Sequence, residues 1–394
     1  MVLKFSSDIV SKYAKLIIII CWFFVTILYL KLFGIVTNFE AEKYISEAQR
    51  FMDSGSFSAP RYWFYCITIF IIVLALKLKI GLAGAFVIQS LLNICAYLYF
   101  YSSLKKLFQI PLTALFIIIY LLFFWPYQDW VVYLFTESAF FSLILILTAT
   151  LIRYKPDNLK NMLIILLVLI LVIISRPLGI LFAGSIFIYV FYSANKRWKI
   201  ILGFFSLLML ISSFYIINTI FSTIKDWRIT QAFEQESIIC DLPGTVQSHI
   251  KLDLAFGGNP IYQLFYYITH NFSHFLHFAG VKLQYFFFMT RSYYSKAHNY
   301  FLLFNTIIIY LLIMGVFFIK QVNFNKKINL FLITSIALYT LTIIFQCDDY
   351  HNRFILSIYP FFVILAAGAA EFLVLNFFKN NKQASGISIK KTTL

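Results

Sequence analysis

Thirteen of the sixteen acidic residues of this 394-residue chain fall in four short polar stretches that interrupt an otherwise apolar sequence, and those stretches are where its chemistry must be sought. They hold Glu40, Glu42, Glu47 and Asp53; Asp129 and Glu137; Asp226, Glu234, Glu236, Asp241 and Asp253; and Asp348 with Asp349. Carboxylates move protons as general acids or bases, and arginines grip phosphate or carboxylate with paired N–H groups. Glu40 opens the stretch Glu40-Ala-Glu-Lys-Tyr44-Ile-Ser-Glu-Ala48, in which Ala41, Ile45, Ala48 and Met52 recur at helical spacing. The spacing predicts a short amphipathic helix closed by Gly55, with Glu40, Lys43, Tyr44 and Glu47 on the polar face. The same residues admit a bland alternative, because Thr37-x-x-Glu40 fits a capping box.

Glu137 begins an apolar run as Thr136-Glu137-Ser138, where a carboxylate needs a partner, a metal, a water path or a capping role. Arg176, in Ser175-Arg176-Pro177, lies between two apolar runs and calls for a phosphate or carboxylate. Arg353 closes the cluster Cys347-Asp348-Asp349-Tyr350-His351-Asn352-Arg353 just before the last apolar run; it reads either as snorkelling and capping or as a bidentate grip on a lipid phosphate. His270, His274 and His277 share one face if residues 262 to 290 form one helix, although no specific metal motif accompanies them. No phosphate-cradling glycine loop and no serine or cysteine nucleophile motif is present.

The elements that must position these groups follow from composition. A chain that is 61% hydrophobic and 12% charged cannot cover a water-soluble globule of this size with polar groups, so it reads as an integral membrane protein. Eleven apolar runs are candidate spans, at about 14 to 36, 61 to 76, 83 to 104, 110 to 126, 133 to 152, 161 to 175, 177 to 194, 199 to 221, 299 to 319, 328 to 345 and 353 to 378. Backbone in lipid must satisfy its own hydrogen bonds, so the expected fold is all-α, a polytopic bundle of about 10–12 spans. The first run is read as a retained span, not a cleaved leader. An amphipathic first outer loop (37–60) and a larger, aromatic-rich outer loop (223–297) interrupt a single membrane domain, 1–378, followed by a basic tail, 379–394.

The net charge of +16 does not point to nucleic acid, because the basic residues sit in short connections beside the apolar runs. One topology puts twenty basic and three acidic residues inside, against twelve basic and thirteen acidic outside, with all four acidic stretches outside. Both termini are then cytoplasmic. Eleven crossings cannot achieve this, so the 61–76 run or its neighbour is expected to be tilted or re-entrant. Cys240 and Cys347 fall on the outer side, where a disulfide between them is one reading; Cys21, Cys66 and Cys95 lie in or beside spans.

With these residues in place, the chain resembles the GT-C superfamily of integral-membrane glycosyltransferases. The resemblance rests on Glu40, Tyr44, Ala48 and Gly55 after the first span, on Thr136-Glu137-Ser138, on Arg176-Pro177, and on His351-Asn-Arg353 with Pro360. Glu40 stands where the family usually has Asp, and Ala41 where a second acidic residue often follows. Whether a divalent metal takes part therefore stays open. The resemblance implies a polyprenyl-phosphate-linked sugar donor and a glycan, lipid or protein acceptor. It implies catalytic Glu40 and Glu137, with Tyr44, Arg176, Arg291, Tyr293, Tyr294, Asp349, His351 and Arg353 as substrate-binding residues. Glu40 would act as general base, and Arg353 or Arg176 would meet the departing phosphate. A polysaccharide polymerase or ligase of the O-antigen type is the alternative, relying chiefly on later arginines, and a flippase ranks last because the runs carry almost no charge. Heavy use of Ile, Phe, Lys, Asn and Tyr points to an AT-rich bacterial genome and hence to an inner membrane.

Overall fold

A computed structural model describes residues 2–204, 230–240, 251–318 and 325–384, apart from Lys155, Asp157 and Phe256, together with positions 206, 208, 212 and 215; of these, side chains are described from residue 12 to 377, apart from 316–318. Asp226, Asp241 and the last ten residues lie outside the described residues, as does most of the 199–221 run. Among the described residues every regular element is a helix, and the only β-type pairings are two isolated bridges, Val36 with Tyr133 and Ile239 with Asp348.

Seven helices are long and apolar enough to cross a membrane: Lys12–Phe33, Pro60–Lys77, Gly81–Leu104, Thr136–Arg153, Lys296–Gly315, Lys326–Phe345 and Tyr350–Phe377. The count among described residues is therefore below the ten to twelve spans expected. Pro111–Phe123 with Trp125–Val132 is a bent pair, turned by 75°, which brings the number to eight if the pair is counted as one span. It lies outside the 61–76 run and its neighbour, where a tilted or re-entrant segment was expected. Phe124 leaves helical geometry at φ −76°, ψ 89°, and Pro126 restarts the chain as a short new turn. A proline has no N–H to continue a helix and its ring clashes with the carbonyl four residues back, here Leu122. The runs 161–175 and 177–194 appear as the shorter helices Leu159–Ile173 and Pro177–Ser193.

The chain divides into two compact units. The first comprises Met1–Ala183, Ile308–Asn329 and Tyr359–Leu394. Its helices include α1 (Val2–Phe33), α2 (Glu40–Ser54), α3 (Cys66–Lys77), α4 (Gly81–Leu104), α5 (Pro111–Phe123), α6 (Trp125–Gln128), α7 (Thr136–Arg153) and α8 (Leu159–Ile173). α7 is 83% buried, so it is the central post, whereas α1 is 28% buried and turns Leu16, Ile20, Phe23, Phe24 and Leu32 outward. Four helices are joined by amides inside this apolar setting. Trp22 Nε1 and Gln128 Nε2 both donate to Asn93 Oδ1 (2.9 and 3.1 Å), Asn93 Nδ2 donates to Ser142 Oγ (3.1 Å), and the Tyr97 hydroxyl donates to Gln128 Oε1 (2.7 Å). A buried amide left unpaired is costly, so this network fixes which faces of α1, α4, α6 and α7 meet.

The second unit comprises Gly184–Ile307 and Leu330–Ile358. Residues 262 to 290 would set His270, His274 and His277 on one face if they formed one helix; they form two, Pro260–His270 and Phe272–Phe288, joined at Asn271. Asn271 spends its side chain on the backbone of Asp253, accepting from its N–H (2.9 Å) and donating to its carbonyl (2.7 Å). These helices enclose a core of Phe233, Ile238, Ile239, Tyr267 and Phe278, and the Cys240–Cys347 disulfide is formed.

Candidate functional site

The first unit brings together four residues from three distant segments. The loop after α1 is tied to the segment before α7 through the backbone: Val36 donates its N–H to the Val132 carbonyl (3.0 Å), and Leu134 donates to the Val36 carbonyl (3.1 Å). Gln89 on α4 sets this register by donating its side-chain amide to the carbonyls of Val131 (2.8 Å) and Tyr133 (2.9 Å). α2 starts at Glu40. Phe39 is its N-cap, at φ 55° with no side-chain cap, so the Thr37 capping box is not formed. Gly55 closes the helix as expected, in left-handed geometry at φ 70°, donating to the Phe51 carbonyl (3.0 Å).

The buried face of α2 is Ala41, Tyr44, Glu47 and Ala48, whereas Ile45 is half-buried and Met52 exposed. The expected apolar stripe is thus rotated towards the polar residues, because those residues find partners. Glu47 accepts from the Ser58 N–H (2.9 Å) and from the Ser58 hydroxyl. Tyr44 is fully buried against Tyr65 and donates its hydroxyl to Glu40 Oε1 (3.1 Å). The same oxygen takes the Lys43 ammonium at 2.5 Å.

Glu137 in the first turn of α7 is 0% exposed and paired with the buried Arg176 guanidinium; the Thr136 hydroxyl lies 3.4 Å from its other oxygen. Arg176 is delivered by a tight kink between α8 and the next helix. Pro177 opens a short turn there, and a Cβ on Gly179 would meet the Val172 carbonyl oxygen at 2.5 Å, so only glycine lets the turn lie this close. Tyr44 joins the two halves of the site. Burial pushes its phenol well above the usual range, Glu40 and Glu137 push it the same way, and Arg176 pulls it back. Of the residues singled out in the sequence, Glu40, Tyr44, Glu137 and Arg176 therefore lie within electrostatic reach of one phenol.

The remaining residues gather in the second unit. Arg291 is 2% exposed and donates to Asp348 (2.5 Å) and to the carbonyls of Tyr285 (2.8 Å) and Thr290 (3.1 Å), while Asn299 clasps its backbone from both sides. Burial pushes the Asp348 carboxyl up to about 6, against the pull of Arg291. Asp348 also exchanges backbone bonds with Ile238 (2.7 Å) and Cys240 (2.9 Å) beside the disulfide. Arg291 thus ties the Asp348 segment to the backbone at Tyr285 and Thr290. Asp349 lies 3.8 Å from Arg353. His351 and Asn352 both have left-handed backbone, φ 55° and 60°, a strained pair that Asn352 secures by donating to the Met289 carbonyl (2.8 Å). Tyr294 stacks between His298 (4.0 Å) and His351 (6.3 Å), and Tyr293 meets His351 edge-on.

The histidine stripe does not form. His274 is buried between the Tyr267 hydroxyl (2.6 Å) and Glu236 Oε1 (2.9 Å), His270 stacks on Tyr266 one turn back in its own helix, and His277 is exposed. Among the described residues no three His, Cys, Asp or Glu side chains are grouped so as to hold a metal ion. Sequence reasoning missed Gln89, Asn93, Gln128 and Lys282. Amides and a lysine within or beside apolar stretches are the signal that could have flagged them. Lys282 is 1% exposed, 4.3 and 4.5 Å from the ring centres of Phe233 and Phe278, and donates to the Ile344 carbonyl (3.3 Å); burial pushes its ammonium down to about 7. Compared with known protein families, curated proteins and solved structures, the chain matches none.

Proposed function

We propose that this integral membrane protein is a glycosyltransferase of the GT-C kind, moving a sugar from a polyprenyl-phosphate donor to an acceptor hydroxyl on the outer face of a bacterial inner membrane. The observation that carries the reading is the position of Tyr44, which fixes Glu40 at one edge and senses the Glu137–Arg176 pair at the other. Glu40 takes the proton of the acceptor hydroxyl as its oxygen attacks the anomeric carbon. The bond from that carbon to the phosphate oxygen breaks, and the electron pair leaves with the polyprenyl phosphate. Arg176, oriented by Glu137, meets the growing negative charge. The Cys240–Cys347 disulfide supports an outward-facing second unit, because such bonds persist on the oxidising side of a membrane.

The test is mass spectrometry of surface glycans and lipid-linked intermediates in a deletion strain complemented with wild type or Glu40→Gln. The expected result is loss of one defined sugar in the deletion and in Glu40→Gln at normal protein levels, with transfer reduced roughly 10²–10⁴-fold. Chains that stop at one repeat unit in the deletion, with full length restored by Glu40→Gln, would replace this reading with a polysaccharide polymerase.

A further inference from the structure

The two acidic residues of the first-unit site are held very differently. Glu137 is sealed with Arg176, whereas the Lys43–Glu40 pair is open, with side chains 43% and 26% exposed. Glu40 Oε1 is shared by the Lys43 ammonium (2.5 Å) and the Tyr44 hydroxyl (3.1 Å). A carboxylate bound by an ammonium at that distance is a poor proton acceptor. The ammonium also lies 5.0 and 5.9 Å from the ring centres of Tyr44 and Tyr65, which attract a cation wherever it swings above them.

We propose that Lys43 is a phosphate-responsive gate on Glu40, holding the carboxylate until the phosphate of a lipid-linked substrate takes its ammonium. The inference rests on the glycosyltransferase reading and deepens it by naming an anion-recognising residue of the same site. A half-exposed ion pair between helix neighbours contributes little and exchanges readily with other anions. Lysine suits exchange, being a compact charge with three N–H donors on a flexible stem. The direction of the exchange follows from charge. A sugar-bearing phosphodiester carries one negative charge, and the polyprenyl phosphate released from it carries up to two, so the pull on Lys43 grows as the anomeric bond breaks. Lys43 would thereby leave Glu40 when the base is needed and meet the leaving group as its charge develops.

The experiment is binding of undecaprenyl phosphate to the purified full-length protein in detergent, by native mass spectrometry, for wild type, Lys43→Met, Lys43→Arg and Glu40→Gln. The expected result is binding weakened about tenfold or more in Lys43→Met, kept within about threefold in Lys43→Arg, and at least as tight as wild type in Glu40→Gln, which releases the ammonium. Equal binding by wild type and Lys43→Met would overturn the gate and leave the glycosyltransferase reading standing, as would weakened binding in Glu40→Gln. No binding by wild type would remove the glycosyltransferase reading and the gate with it. Where a sugar donor is turned over, Lys43→Met should raise its KM more than it lowers kcat, with Lys43→Arg restoring both; a merely structural role would not split the two constants.

Discussion

Each compact unit contains a buried arginine–carboxylate pair, Glu137 with Arg176 in the first and Asp348 with Arg291 in the second, and the two are supported by different means. The first pair hangs from helix ends. α7 supplies Glu137, a glycine-permitted kink supplies Arg176, and an amide network inside the helices fixes their faces. The second pair hangs from loops, held by a disulfide, backbone exchange with Ile238 and Cys240, and guanidinium bonds to two carbonyls. The difference teaches that helix packing alone can hold a charge pair where spans converge, whereas irregular segments need covalent and backbone ties to do the same.

The largest effects should come from breaking either pair at one end. Asp348→Ala and Glu137→Ala each leave a buried guanidinium without its carboxylate and should cost about 3–5 kcal/mol of stability in denaturant unfolding of the purified protein. Hydrogen exchange should place the first loss in the second unit and the second loss in the first; a reversed or shared pattern would break the comparison. Next, Cys347→Ser should cost about 2–5 kcal/mol and loosen the segment around residues 230 to 240, leaving exchange in α4 and α7 unchanged.

Lys282 sharpens the contrast through pH. Its ammonium sits at about 7 in the folded protein against 10.5 for an ordinary lysine, so between those values the unfolded chain binds a proton that the folded one does not. Stability of the second unit should therefore rise with pH across that window and be lowest below pH 7. Lys282→Met should flatten the dependence and stabilise by on the order of 3 kcal/mol at pH 7, as read from unfolding midpoints between pH 6 and 10. The smallest effect expected is for Asn93→Ala. It strands the Trp22 N–H and the Gln128 amide and should cost about 1–3 kcal/mol, confined to the first unit by the same exchange measurement.

The helical architecture and the Glu40–Tyr44 helix were legible because hydrophobic run length and period-3.6 spacing are local properties. Gly55 at the end of α2 was legible for the same reason. What was not legible depended on partners far away in sequence. Tyr44 and Glu47 turn inward because Tyr65 and Ser58 receive them, which no amphipathic pattern encodes. The His270–His277 stripe fails because Asn271 prefers the backbone of Asp253 to helical continuity. The ties that bury Arg291 come from residues 285, 290, 299 and 348, which its own stretch of sequence does not announce. The Cys240–Cys347 pairing was readable as chemistry, while its proximity was not.

The bend after α5 has a consequence for the surrounding lipid. Thirteen helical residues rise about 20 Å, short of the roughly 30 Å of a bilayer's hydrocarbon core, and Leu112, Phe116 and Phe123 of this helix point outward. The segment that follows, Trp125–Val132, turns by 75°. Along this edge the protein offers acyl chains a shorter apolar wall than along the 22-residue span of α1. Lipids with long chains must thin or tilt to meet it, and short-chain lipids fit without deformation. Acyl-chain length thus becomes a variable to which this proline-marked break, and the loop bridge built on its turn, should respond.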